Sequence, residues 1–74
     1  MAKFIVKYWE NEEAREEGLS EIFSANLEIL DVAIEQAKRL FFTQDFPCVE
    51  VENEDEKCMF HISVDCPNGE RFDY

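Results

Sequence analysis

The chain has 74 residues, 46% of them hydrophobic, and 18 acidic side chains against 7 basic ones, a formal net charge of −11. That length allows one small domain, the hydrophobic content argues against disorder, and the charge argues against direct binding to nucleic acid or an anionic membrane. Three cysteines cannot all pair with one another, Lys3 and Lys7 interrupt the only early apolar run, and no apolar run is long enough to cross a bilayer, so a cytoplasmic, reducing location is expected.

Residues 3–9 alternate in the manner of a strand, with Phe4, Val6 and Tyr8 on the core face and Lys3, Ile5, Lys7 and Trp9 on the other. Residues 10–17, ENEEAREE, have no apolar face to dock and end at Gly18, so a loop or frayed turn is expected there. Residues 19–25 suit either a second strand returning along the first or an extension of the helix that follows; Ile22 and Phe23 between serines favour the strand.

The strongest periodicity lies in residues 27–42, where Leu27, Leu30, Ala33, Ile34, Ala37, Leu40 and Phe41 recur at steps of three and four. This spacing predicts an amphipathic helix with Asn26 as N-cap, its apolar stripe lying on a sheet. Thr43 to Pro47 should then turn the chain into strands over 47–52 and 57–66, joined by the loop Asn53 to Glu56. In the register this loop implies, Val51 faces Cys58, Val49 faces Phe60 and Cys48 faces His61. Cys58, Phe60, Ile62, Val64 and Cys66 then look inward, and Lys57, Met59, His61, Ser63 and Asp65 look outward. A last hairpin turning at Pro67-Asn68-Gly69 would set Val64 opposite Phe72, Ile62 opposite Tyr74 and Asp65 opposite Arg71. The expected fold is α+β, order β-β-α-β-β-β, one helix packed on one face of a mostly antiparallel sheet in a single domain spanning 1–74.

Chemical sites find little support in this arrangement. His61, Ser63 and Asp65 stand in a row on one strand, about 6.5 to 7 Å apart, which is too far for a nucleophile and its base. Cys48 opposite His61 is a better pair, but no further polar group of the right kind accompanies it. No metal site is expected, because the cysteines divide between two faces and there is one histidine. With two glycines in the chain there is no phosphate-binding loop either, so neither a cofactor nor enzyme activity is expected.

The surface carries more information. Residues 10–17 and 50–57 are each net −4 and together supply −8 of the −11. In the expected topology they lie at opposite ends of the sheet, about 20 Å apart. Ile5, Trp9, Met59 and His61 would sit between them among Glu50, Glu52, Lys57, Asp65 and Asp73. Apolar anchors ringed by acids suit a basic protein partner, or equally a homodimer seam across the open face.

The words REEG at 15–18, AKRL at 37–40 and NGERFDY at 68–74, set in this layout, resemble small phage anti-CRISPR proteins. The resemblance implies a small non-enzymatic acidic inhibitor that binds a basic nucleic-acid-binding surface of a CRISPR effector. On that reading the partner-binding residues are Glu50, Glu52, Glu54, Asp55 and Glu56, then Glu12, Glu13, Glu16 and Glu17, with Trp9 as anchor. The alternative is a small cytosolic adaptor or regulatory domain, dimeric or not, whose partner has nothing to do with nucleic acid.

Overall fold

Alternation of period two at the N-terminus and in the last third, with one segment of period 3.6 between, yields the architecture of the computed structural model, which describes residues 3–72. The elements are β1 (Phe4–Trp9), α1 (Glu12–Glu17), β2 (Glu21–Leu27), α2 (Leu30–Gln44), β3 (Cys48–Glu52), β4 (Cys58–Ser63) and β5 (Cys66–Arg71). The five strands form one antiparallel sheet in the order β2-β1-β3-β4-β5, and α2 packs on one face of it. The fold is therefore α+β, with the strand expected within 19–25 running Glu21–Leu27 and a small extra helix at α1.

The stripe on α2 does what its spacing dictates. Ala33, Ile34, Ala37 and Leu40 are buried against Phe4, Val6, Val49, Val51, Phe60 and Ile62, and Leu27, Leu30 and Phe41 pack on the margin. Ala33 and Ala37 have no exposed surface, so one turn of the helix backbone lies close on the sheet. At one end of the core Tyr8 stacks on Phe46, ring centroids 4.3 Å apart.

The helix boundaries differ from those expected. Asn26 does not cap α2: it lies within β2 at φ +64, at the last pairing step of that strand, and α2 starts at Leu30 behind Ile29, which makes no side-chain cap bond. At the other end α2 runs through Thr43 and Gln44 and stops at Asp45 in the left-handed region, so the turn is shorter than Thr43 to Pro47. The acidic segment is not a loop. Asn11 Oδ1 accepts from Ala14 N at 2.8 Å, Glu12 and Glu13 fill the first turn, and Gly18 at φ +72 returns its amide to Ala14 and Arg15 carbonyls. Caps at both ends and acids at the positive end of the helix replace the missing apolar face.

The last hairpins also depart from the expected register, beginning with the loop after β3, which takes in Lys57 as well as Asn53 to Glu56. A bulge at Val51/Glu52 places Glu52 opposite Cys58 but Val51 opposite Phe60, so Met59 becomes the extra residue. Cys58 therefore turns to the outer face beside Glu50, Glu52 and Lys7, while Met59 packs toward the core, the reverse of the expected faces. Further along, Val49 meets Ile62, Glu50 meets His61 and Cys48 meets Ser63.

The β4–β5 turn then falls at Val64-Asp65, with Ser63 opposite Cys66, and not at Pro67-Asn68-Gly69. Val64 is consequently exposed, Cys66 half-buried, and Arg71 aligns with Phe60 and reaches Asp31 on α2 at 3.4 Å. Tyr74, expected opposite Ile62, and Asp73, expected on the outer face, lie outside the described residues.

Pro67 and Gly69 sit instead within the edge strand β5. Gly69 has φ +81 and lies under the Phe60 ring, where an added Cβ would come within 2.5 Å of Cζ. Gly18 has a similar φ but open space around it. Replacing Gly69 with Ala should cost about 2 to 4 kcal/mol, combining left-handed backbone strain with displacement of the ring, against about 1 to 2 kcal/mol for Gly18→Ala. Urea unfolding of the two variants measures the difference; equal losses would mean that Phe60 does not depend on a bare backbone at 69.

Candidate functional site

Two groups of side chains stand out: the acids at the ends of the sheet, and a polar cluster in the middle of the face opposite α2. Because β1 and β3 are antiparallel, with Trp9 opposite Cys48 and Ile5 opposite Glu52, α1 leaves one end of the sheet and the 53–57 loop leaves the other. The five steps from Phe4 to Trp9 separate them by about 17 Å. Glu12, Glu13, Glu16 and Glu17 on α1 are exposed, as are Glu54, Asp55 and Glu56. The loop is held by Asn53, whose Oδ1 accepts from Asp55 N at 2.9 Å and Lys57 N at 3.0 Å. Its carboxylates are thus displayed on an ordered turn.

The remaining expected binding residues have other partners. Glu52 pairs with Lys7 across β1 and β3, and Glu50 lies 2.8 Å from His61 Nδ1. Both carboxylates are about one-fifth exposed. Trp9 is half-buried, with Lys7 Nζ 5.3 Å from its ring centroid. Three cations are drawn into acid pairs: Lys7 with Glu52, Arg15 with Asp65 at 3.2 Å and Glu12 at 3.8 Å, and Arg71 with Asp31. The two end groups are the densest exposed runs of negative charge, beside single exposed acids such as Glu28, Glu35 and Glu70 elsewhere on the surface.

The central cluster arises from the shifted register. His61 leans along its own strand so that Nε2 lies 3.0 Å from Ser63 Oγ, although their backbones are one strand repeat apart. Its other nitrogen, Nδ1, lies 2.8 Å from Glu50 Oε2 and 3.7 Å from Cys48 Sγ. The sequence expectation that the row is too widely spaced to bond is corrected for His61 and Ser63. The expectation that Cys48 stands opposite His61 is corrected too, since the two meet diagonally. Glu50 is the member that sequence reading missed in this role. Knowing that Val51 faces Phe60 would have found it, because Glu50 and His61 then become neighbours across the strands.

Serine, imidazole and carboxylate here have the connectivity of a hydrolytic relay. Ser63 nevertheless has no exposed surface, so a substrate carbonyl has no approach to Oγ. A thiol nucleophile fits less well, because Cys48 and Glu50 compete for the same ring nitrogen. A carboxylate can only accept, so Nδ1 carries a proton toward Glu50 and leaves the thiol without a base.

Burial and the Glu50 charge push the Cys48 thiol up to about 12, with Arg15 acting weakly in the opposite direction. Burial, then Glu50, takes Cys58 up to about 11. No protein family, curated protein or solved structure matches the chain. Among the described residues, no helix is long and apolar enough to cross a membrane.

Cys48 should be the slowest of the three thiols toward iodoacetamide in the native protein. Its rate should rise about tenfold per pH unit up to pH 10 without a plateau, since the thiolate fraction keeps growing below its pKa. Mass mapping of the alkylated sites measures this; a plateau near pH 8 would show a thiolate that is stabilised rather than penalised.

Proposed function

We propose that the chain is a small non-enzymatic acidic inhibitor that occupies a basic nucleic-acid-binding surface on another protein, a CRISPR effector being the partner class that its anti-CRISPR resemblance implies. The observation that carries this reading is the pair of exposed carboxylate groups, Glu12, Glu13, Glu16 and Glu17 at one end and Glu54, Asp55 and Glu56 at the other. Each group sits on a capped or side-chain-braced backbone, so its charges are held at a fixed spacing. A partner whose lysines and arginines follow a nucleic-acid backbone would meet two negative patches about one strand length apart. Such charges accelerate encounter and set register more than they add affinity.

A second reading has its own observation. Leu19, Ile22, Phe23 and Phe42 are all more than half exposed. A groove of about 600 Å³ lies between β2 and α2, with Tyr8, Phe23, Arg39, Gln44 and Phe46 among its walls. An adaptor domain that docks an apolar partner segment would use that side and leave the acids uninvolved.

The two readings separate on one set of variants. Changing Glu54, Asp55 and Glu56 to Gln, Asn and Gln should weaken inhibition of target-DNA binding by a susceptible CRISPR effector about tenfold or more, and wild-type affinity should fall as salt rises. Gel-shift competition at several salt concentrations measures both. If partner binding is indifferent to salt and to those changes but lost in Phe23→Ser, the adaptor reading replaces the inhibitor one.

A further inference from the structure

The outer-face cluster holds three different ligand types on two neighbouring strands. Cys48 Sγ, a Glu50 carboxylate oxygen and His61 Nδ1 all lie within 4.8 Å of one another. A tetrahedral zinc ion has bonds of about 2.3 Å to sulfur and about 2.0 to 2.1 Å to nitrogen or oxygen, which sets its ligands about 3.3 to 3.6 Å apart. The observed separations of 3.7 Å for sulfur to Nδ1 and 2.8 Å for Nδ1 to oxygen bracket that range. Side-chain rotations that also bring the sulfur and the carboxylate oxygen, now within 4.8 Å, into that range would place all three on one centre.

The surroundings suit such a centre. Ser63 Oγ stands 3.0 Å from the far ring nitrogen, Nε2, and its hydroxyl can either donate or accept. When the ring proton sits on Nε2 and is donated to Ser63, Nδ1 presents a lone pair, the outer hydrogen bond by which a ligating histidine is oriented. Glu50 and His61 are each about one-fifth exposed, leaving a solvent route to the site and room for water as a fourth ligand. Arg15 is the cation that acts on Cys48, and Asp65 and Glu12 already engage it. The net charge of −11 favours any divalent cation near this face, but a thiol and an imidazole select a borderline-soft one over calcium or magnesium.

We infer that Cys48, Glu50 and His61 form a binding site for one zinc-class divalent cation, with Ser63 as the positioning residue for the histidine. On binding, the Cys48 thiol proton leaves to solvent and the sulfur becomes a thiolate ligand. The ring proton moves from Nδ1 to Nε2, and the Nδ1–Glu50 hydrogen bond is replaced by two bonds to the ion. One proton is released per cation, with no change of redox state. The site is independent of the inhibitor reading, since neither carboxylate group at the sheet ends takes part.

Cobalt(II) titration of the full chain tests it. The expected result is one cobalt per chain, with a sulfur-to-cobalt charge-transfer band and the intense visible bands of a tetrahedral site. Zinc should bleach both, and excess magnesium or calcium should not. Cys48→Ser should abolish the charge-transfer band, Glu50→Gln should weaken binding about tenfold or more, and the Cys58→Ser, Cys66→Ser double variant should leave the spectrum unchanged. Circular dichroism of each variant reports on folding. Failure of the folded wild-type chain to bind cobalt or zinc at 100 µM would overturn the assignment, as would a charge-transfer band that survives Cys48→Ser and vanishes in the double variant.

Discussion

Ala33 and Ala37, one helical turn apart and wholly buried, let the backbone of α2 settle on the central strands, and the rest of the chain answers to that contact. A helix that close covers one face of β1, β3 and β4 with few large side chains, which is how a chain of this length completes a core. It also fixes the phase of each central strand. Val6, Val49, Val51, Phe60 and Ile62 must look toward the helix, and a strand that arrives out of phase has to absorb the difference. The bulge at Val51/Glu52 is where β4 does so.

Among the described residues no helix covers the opposite face along its length, and its chemistry follows from that exposure. Polar side chains on an open sheet face satisfy one another: Lys7 with Glu52, His61 with Glu50 and Ser63, and the Cys58 thiol donating to the Phe60 carbonyl. At the end where α1 begins, Arg15 reaches to Asp65 in the β4–β5 turn and anchors the short helix to the far side of the sheet. Cys48 and Ser63 are left with almost no exposure at that end.

Much of this was legible in the sequence, and the failures have identifiable physical causes. The apolar stripe from Leu27 to Phe41, the alternation in β1 and the strand character of Ile22 and Phe23 each reflect burial, which a single chain reports directly. Asn26 misled because a left-handed residue inside a bulged strand and a helix cap favour the same residue types. Residues 10–17 misled for the opposite reason: α1 is held by caps and charge placement and has no buried residue, so apolar periodicity cannot reveal it. The hairpins at the C-terminus were misread through Pro67-Asn68-Gly69, an apt turn sequence whose glycine is needed for the Phe60 ring and whose proline is tolerated on an outer strand. What hid the meeting of Glu50 with His61 lies one hairpin earlier, in the loop that takes in Lys57 and the unseen bulge at Val51/Glu52. Two single-residue shifts thus separate an apparently inert row of polar side chains from a convergent one.

Pro67 has a consequence for how copies of this chain can meet. A strand tolerates proline only where the missing amide faces away from its neighbour, and Gly69 breaks the regular backbone two residues further on. The β5 edge therefore offers an incoming strand an interrupted ladder, while β2 at the other edge has no proline and leaves regular backbone at Asn26, near its end. A sheet with a single receptive border cannot pass strand pairing from copy to copy. Strand-to-strand association through that border would join two chains about a two-fold axis and then close, an arrangement that works against open-ended strand stacking.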